Sequence, residues 1–343
     1  MSEILAKGER TEELLREYFL ELGYFVIRSV KFTYREFDVT DVDLFLYSKS
    51  SPFSREKTIV DIKKKKTPQA IERIFWTKGL QEALGMDKAI VATTDNRSDV
   101  AEFGKKNKIN VLDGNLIMRI EERFMRMKRS RITEEAFTEI MRRESIGDLY
   151  GNWKDKNEEL KALFINEISF NTCNRILKSI KEVLEYYITT NKNELSKRLL
   201  YLHVSYFLIA LDYSMKDLSF IEEDQRKQSL DMYFKYGQTG YQRTQEIIGY
   251  IQSFLSSTPA GSEIHREAIK EAVESDISSI KADVLAEYFC KITISSKIFD
   301  IARYFESYAY AIEVPHVEEI PAEDQAIIAL MSDFFSIDRK KVL

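Results

Sequence analysis

Residues 42–63 read VDLFLYSKSSPFSREKTIVDIK: two short runs rich in β-branched and aromatic residues on either side of a polar turn that contains Pro52. Such runs, bounded by Ser and Pro, predict strands over 42–47 and 58–63 with 48–55 as the turn. Side chains alternate across a strand, so Val42, Leu44 and Leu46 share one face and Asp43 the other. By the same rule Val60 and Ile62 point into the core, while Asp61 and Lys63 project together from the opposite face. Antiparallel pairing of the two runs would bring Asp43 beside Asp61.

Outward from this pair the sequence alternates helix and strand. Leu14, Leu15, Tyr18, Phe19 and Leu22 recur at helical spacing, predicting a helix over 9–22 that Gly23 stops, followed by a strand over 24–30. The three strands would form a meander. A helix over 67–84 leads into 88–94, an apolar β-branched run of the kind covered on both faces. A helix starting near Ser98 and a short strand over 110–112 follow, closed by a turn at Asp113-Gly114. This is an α/β sandwich of roughly 120 residues.

Two adjacent carboxylates repel, and the arrangement is stable when a cation neutralises them. Oxygen ligands suit Mg or Mn. A lysine beside that ion can orient the attacking water and offset charge growing on phosphorus. Helical geometry selects a third carboxylate. With the apolar stripe centred near Leu15 and Leu22, Glu13 and Glu17 point to solvent, Glu9 lies farther round, and Glu12 sits on the shoulder of the packed face, looking toward Asp43 and Asp61.

Asp43 followed by Asp61-Ile62-Lys63, with Glu12 on a preceding helix and a helix and apolar strand behind, resembles the PD-(D/E)XK nuclease superfamily. Residues 88–116, KAIVATTDNRSDVAEFGKKNKINVLDGNL, are similar to the end of an Mrr-like restriction endonuclease domain, where a strand ending in Thr-Thr precedes a helix and an Asp-Gly turn. Gly8, Glu12 and Gly23 are similar to the opening of archaeal Holliday-junction resolvases. The resemblance covers residues 6–120. It implies a restriction-endonuclease-like sandwich and Mg- or Mn-dependent hydrolysis of DNA phosphodiesters, with Asp43, Asp61, Ile62 and Glu12 as the metal ligand set and Lys63 as the catalytic lysine. Val42 stands where the name-giving Pro would be, and Asp61 replaces the commoner Glu. A branched-DNA resolvase, an RNA-directed nuclease and a catalytically silent nuclease fold acting as a nucleic-acid-binding scaffold are the alternatives.

Lys63 begins a run of four lysines, and Lys64, Lys65 and Lys66 are expected to meet phosphates. Arg123, Arg126, Lys128, Arg129 and Arg131 form a second basic run, read as a solvated helical linker. Phe75 and Trp76, in the helix after the lysines, are assigned to the core, as are Tyr186, Tyr187, Tyr206 and Phe207. Gly237 and Gly240 mark a kink or turn between helices; no phosphate-loop Lys-Ser/Thr follows them.

Strand signals stop beyond Glu121. Helical periodicity recurs near 133–145, 154–169, 172–190, 193–215, 222–256, 262–290, 293–312 and 321–336, without a fixed repeat. The expected organisation is a nuclease-like domain over 1–122 and an all-α helical domain over 123–343 that serves oligomerisation or a protein partner. Only 12 Gly and 5 Pro among 343 residues agree with a helix-rich chain. Cys173 and Cys290, with three scattered histidines, exclude a disulfide scaffold and a Cys/His zinc motif. Apolar runs such as 206–211 are far short of a membrane span, and residues 1–16 lack the apolar core of a secretory signal, so no membrane association and a cytoplasmic location are expected. Net charge is −5, but unevenly spread: residues 1–130 hold 25 Lys and Arg against 21 Asp and Glu, residues 131–343 hold 26 against 35. The first half is therefore the expected site of DNA contact. Cutting both strands suits a homodimer.

Overall fold

The computed structural model describes residues 7–35, 37–64, 69–126, 130–144, 151–256, 271–273 and 275–343. The chain divides into two compact units, residues 1–167 with 310–313, and residues 168–309 with 314–343.

The first unit is built on a five-stranded mixed sheet in the order β1-β2-β3-β4-β5. Helix α1 (Lys7–Glu21) precedes β1 (Phe25–Tyr34), β2 (Phe37–Lys49) and β3 (Arg55–Lys63). These strands run antiparallel as the expected meander. The short links allow this, whereas β4 (Lys88–Thr93) and β5 (Asn110–Leu112) lie parallel because α2 (Ala70–Ala83) and α3 (Ser98–Lys106) carry the chain back before each. Five of the six residues of β4 are buried, as its apolar run requires.

One sheet face packs against α1 and α4 (Gly114–Met125). Leu15 and Phe19 meet Leu44, Leu46, Val60 and Ile62 there, with Ile117 and Ile120 of α4. Removing a side chain such as Leu44 would cost about 2–5 kcal/mol, the range for cavities in well-packed cores. Leu22, expected on this face, is exposed because the helix ends one residue earlier. The Asp113-Gly114 turn is in fact a helix start: the Asp113 carboxylate accepts from the Leu116 N–H at 2.8 Å and caps α4. Glycine is required next to it, since a Cβ on Gly114 would sit 2.7 Å from the Thr94 carbonyl oxygen.

The β1–β2 ladder runs to Tyr34↔Phe37, while β2 pairs with β3 only from Leu44↔Val60 to Lys49↔Arg55. Residues 37–43 therefore extend past β3, and Asp43 stands where β2 leaves it. Helices α5 (Glu134–Glu144) and α6 (Trp153–Ala162) fall within this unit, beyond the limit at 122 expected from the loss of strand signals. Buried ion pairs, which periodicity does not register, tie them to α1 and β1. Glu134 pairs with Lys161, and accepts from the Tyr310 hydroxyl at 2.6 Å. Lys161 Nζ also donates to the Arg28 carbonyl oxygen at 3.1 Å.

The second unit is helical. Its helices α7 (Phe170–Thr189) and α8 (Glu194–Ser214) pack together, and residues 195–212 of α8 are buried on every side, so this helix forms the centre of the unit. Tyr186, Tyr187, Tyr206 and Phe207 are core residues as expected. The single helical pattern over 222–256 is two helices, α9 (Glu223–Tyr236) and α10 (Gly240–Ser256), broken at Gly237, whose φ of +74° suits glycine. Much of the pattern over 262–290 lies outside the described residues; 282–289 are helical. No helix among the described residues is long and apolar enough to cross a membrane.

Candidate active site

Continuing the β2–β3 register one step past Leu44↔Val60 sets Asp43 opposite Asp61, as the alternation of the two strands requires. The two chains are joined at this step through a side chain: the Ile62 N–H donates to Asp43 Oδ2 at 2.5 Å. Burial drives the Asp43 carboxyl up to about 6; the Ile62 N–H opposes this, the Glu12 carboxylate adds to it, and Lys63 and Arg73 oppose it. Asp43 is thus a carboxylate short of positive charge.

Asp61 is not. Arg73, in the first turn of α2, donates Nε to Asp61 Oδ2 at 2.7 Å and Nη2 to Oδ1, a two-point guanidinium–carboxylate pair. Sequence reasoning assigned Arg73 nothing. A strand–helix crossover returns over the end of the strand it leaves, and an arginine in the first turn after 61-DIKKKK-66 was the available signal. Burial lowers the Arg73 pKa against the raising influence of Asp43. Lys63, at the end of β3, is half-buried and adds its charge to the field at Asp43.

Glu12 is close enough to act on Asp43, yet its Oε2 accepts from Arg28 Nε and Nη2 at 3.0 and 2.9 Å. Glu13, expected in solvent, is buried: it lies 3.0 Å from Arg28 Nη1 and 3.2 Å from Arg16. A helical wheel with one packed face leaves Glu13 in solvent, whereas α5 covers a second face, and Glu13 also accepts from the Glu134 N–H. Glu135 completes the set around Arg28 at 2.5 Å. Burial alone would lower the Arg28 pKa, but Glu135, Glu13 and Glu12 together raise it. Burial would raise Glu134, and Lys161 and Arg16 outweigh it, holding that carboxyl down at about 2.

Among the lysines proposed to meet phosphates, Lys64 points to Glu121 of α4 at 3.4 Å; Lys65 and Lys66 lie outside the described residues. Of the second basic run, Arg123 pairs with Glu21 at 2.8 Å and Arg126 caps α4, while Lys128 and Arg129 lie outside the described residues. Arg131 makes a β-bridge to Ala311. Phe75 and Trp76 are not core residues: they are 60% and 46% exposed on α2, whose buried face is carried by Ala70, Ile74, Thr77 and Gln81.

In donor chemistry, Asp43 and Asp61 fit a hard divalent cation, and the elevated Asp43 is what an uncompensated ligand would display. In arrangement, the Asp61 oxygens are held by Arg73 and Glu12 by Arg28, and no cluster of three or more His, Cys, Asp or Glu that could hold a metal occurs among the described residues. A cation bound between Asp43 and Asp61 would displace the Arg73 guanidinium. Comparison of this chain with protein-family models, with curated proteins and with solved structures finds no match to any of them.

Proposed function

We propose that the first unit is a restriction-endonuclease-like domain, Mrr-like in its β4–α4 region, that hydrolyses DNA phosphodiester bonds in the cytoplasm with Mg or Mn. The observation that carries this reading is the convergence on Asp43, at the open end of the β2–β3 ladder, of the Ile62 N–H, Glu12, Lys63 and Arg73, the last of which also pairs with Asp61. Asp43 and Asp61 would hold the cation, with Glu12 acting on Asp43 from α1 and Ile62 fixing the Asp43 carboxylate through its N–H. A bound divalent ion supplies charge neutralisation at the scissile phosphate and an acidified water. Lys63 would orient the attacking water and offer its ammonium to the oxygens on which charge grows. Arg73, once released from Asp61, is positioned to contact a phosphate oxygen in two-point geometry. The helical unit, acidic overall, would serve self-association into a dimer or recognition of a protein partner.

A second reading is favoured by the same ion pairs. Asp61 with Arg73 and Glu12 with Arg28 are neutralised without a cation, as a nuclease fold retained as a nucleic-acid-binding scaffold would be. Incubation of the purified chain with duplex, branched and single-stranded DNA and with RNA, in Mg, Mn or chelator, decides between them. Metal-dependent cleavage lost in Asp43→Asn supports the enzyme; tight, metal-independent binding with no cleavage of any substrate supports the scaffold. The substrate cut distinguishes a restriction-like enzyme from a resolvase and from an RNA-directed nuclease.

A further inference from the structure

Helix α2 exposes an aromatic surface beside the candidate site. Trp76 lies one turn beyond Arg73, so both side chains leave the helix on the same side, and the Arg73 guanidinium carbon is 5.9 Å from the centre of the indole ring. One turn farther stands Gly79, where a Cβ would meet no atom within 4 Å, so this strip of the helix continues without a side chain. Phe75 extends the surface and is braced edge-on against Phe103 of α3, ring centres 5.3 Å apart. Two neighbouring large aromatics left 60% and 46% exposed, on a helix whose buried face is carried by Ala70, Ile74, Thr77 and Gln81, mark a recognition surface.

We propose that Trp76 is a stacking platform for an unpaired base of a nucleic acid whose backbone lies at the Asp43–Asp61 site. The location rests on the nuclease reading; the stacking itself does not require cleavage. Charge selects this ligand over a neutral apolar partner. Arg73 links the indole to Asp61, and Lys63, half-buried at the end of β3, lies on the same strand face as Asp61, so the platform stands beside cationic groups suited to a phosphate backbone. A flat ring can stack only on a base whose face is free. The surface therefore favours single strands, branch points, bulges or extruded nucleotides over intact duplex.

The chain reports on this site by itself. It has two tryptophans, and Trp153 is fully buried, so an added oligonucleotide reaches only Trp76. Titration of the full-length protein with single-stranded oligothymidylate in chelator should quench tryptophan emission. Trp76→Ala should weaken single-strand binding about tenfold, the loss of roughly one stacked base, with Trp76→Phe recovering most of it and duplex affinity within about twofold of wild type. An unchanged melting temperature verifies that the exposed substitution leaves the fold intact. Oligonucleotide binding that leaves the emission unchanged, or equal single-strand affinity in Trp76→Ala, overturns the platform while leaving the nuclease reading in place. Emission that follows protein concentration and not oligonucleotide overturns it in favour of a contact between copies of the chain. Failure to bind any nucleic acid overturns both.

Discussion

Replacing Asp43 by Asn should stabilise the metal-free protein while abolishing cleavage. The folded Asp43 carboxyl keeps its proton to about pH 6, whereas its ordinary value is 3.8. Between those pH values the folded state binds more protons than the unfolded one, so the wild type loses stability as pH rises through this window and carries the full penalty above it. The interval from 3.8 to about 6 corresponds to about 3 kcal/mol. Asn cannot ionise, and its amide oxygen still accepts from the Ile62 N–H, so the variant should escape the penalty while keeping the bond. At pH 4 or below, Asp43→Asn and wild type should be equally stable; at pH 7.5 in chelator the variant should lead by up to about 3 kcal/mol, several degrees in melting temperature for a unit of this size. Adding Mn should reverse the order. The ion binds the folded wild-type site and raises its melting temperature with concentration, and Asp43→Asn should respond far less. The assay is a set of melts at pH 4, 6 and 7.5, with chelator and with Mn. A variant that is less stable than wild type at pH 7.5 without metal, or a difference that does not change with pH, refutes the account of Asp43 as an uncompensated ligand.

Lys63→Ala should lower metal-dependent cleavage by at least about 100-fold and leave DNA affinity within about twofold, because an interaction made chiefly in the transition state affects rate more than binding; cleavage at the wild-type rate would move the active site elsewhere. Neutralising Lys64, Lys65 and Lys66 together should do the opposite, weakening binding and flattening its salt dependence by about 0.9 for each duplex phosphate that is no longer neutralised. Arg73→Gln should enlarge the Mn-dependent rise in melting temperature, since the guanidinium no longer holds the Asp61 oxygens; an unchanged rise would mean that Arg73 and the cation do not compete. Lys161→Met should destabilise by about 3 kcal/mol at pH 7, leaving buried Glu134 poorly compensated. Glu134 is held at about 2 in the folded protein against 4.5 ordinarily, so the stability that it contributes is present above pH 4.5 and lost as pH falls toward 2. The cost of Lys161→Met should therefore shrink in acid; a pH-independent cost in urea denaturation would contradict the ion-pair account.

Periodicity was sufficient for the side-chain directions within the regular elements. The alternation in 42–63 set Asp43 and Asp61 on one strand face, the helical stripe of 14–19 chose the packed side of α1, and the buried run of β4 announced a strand covered on both faces, because side-chain direction follows from 2.0- and 3.6-residue repeats alone. Tertiary structure decided what those side chains meet. Arg73 lies twelve residues from Asp61, and no repeat relates them; the crossover through α2 brings them together. Glu13 and Trp76 were misassigned for the same reason in opposite directions. A helical wheel records how apolar a face is, and not whether a second layer covers it: α5 covers Glu13, with Arg28 and Arg16 to neutralise it, while Trp76 stays 46% exposed. Charges separated by more than a hundred residues, such as Arg28 with Glu135 and Arg16 with Glu134, became ion pairs only through packing, since Coulomb interactions depend on distance in space and carry no signature in sequence order.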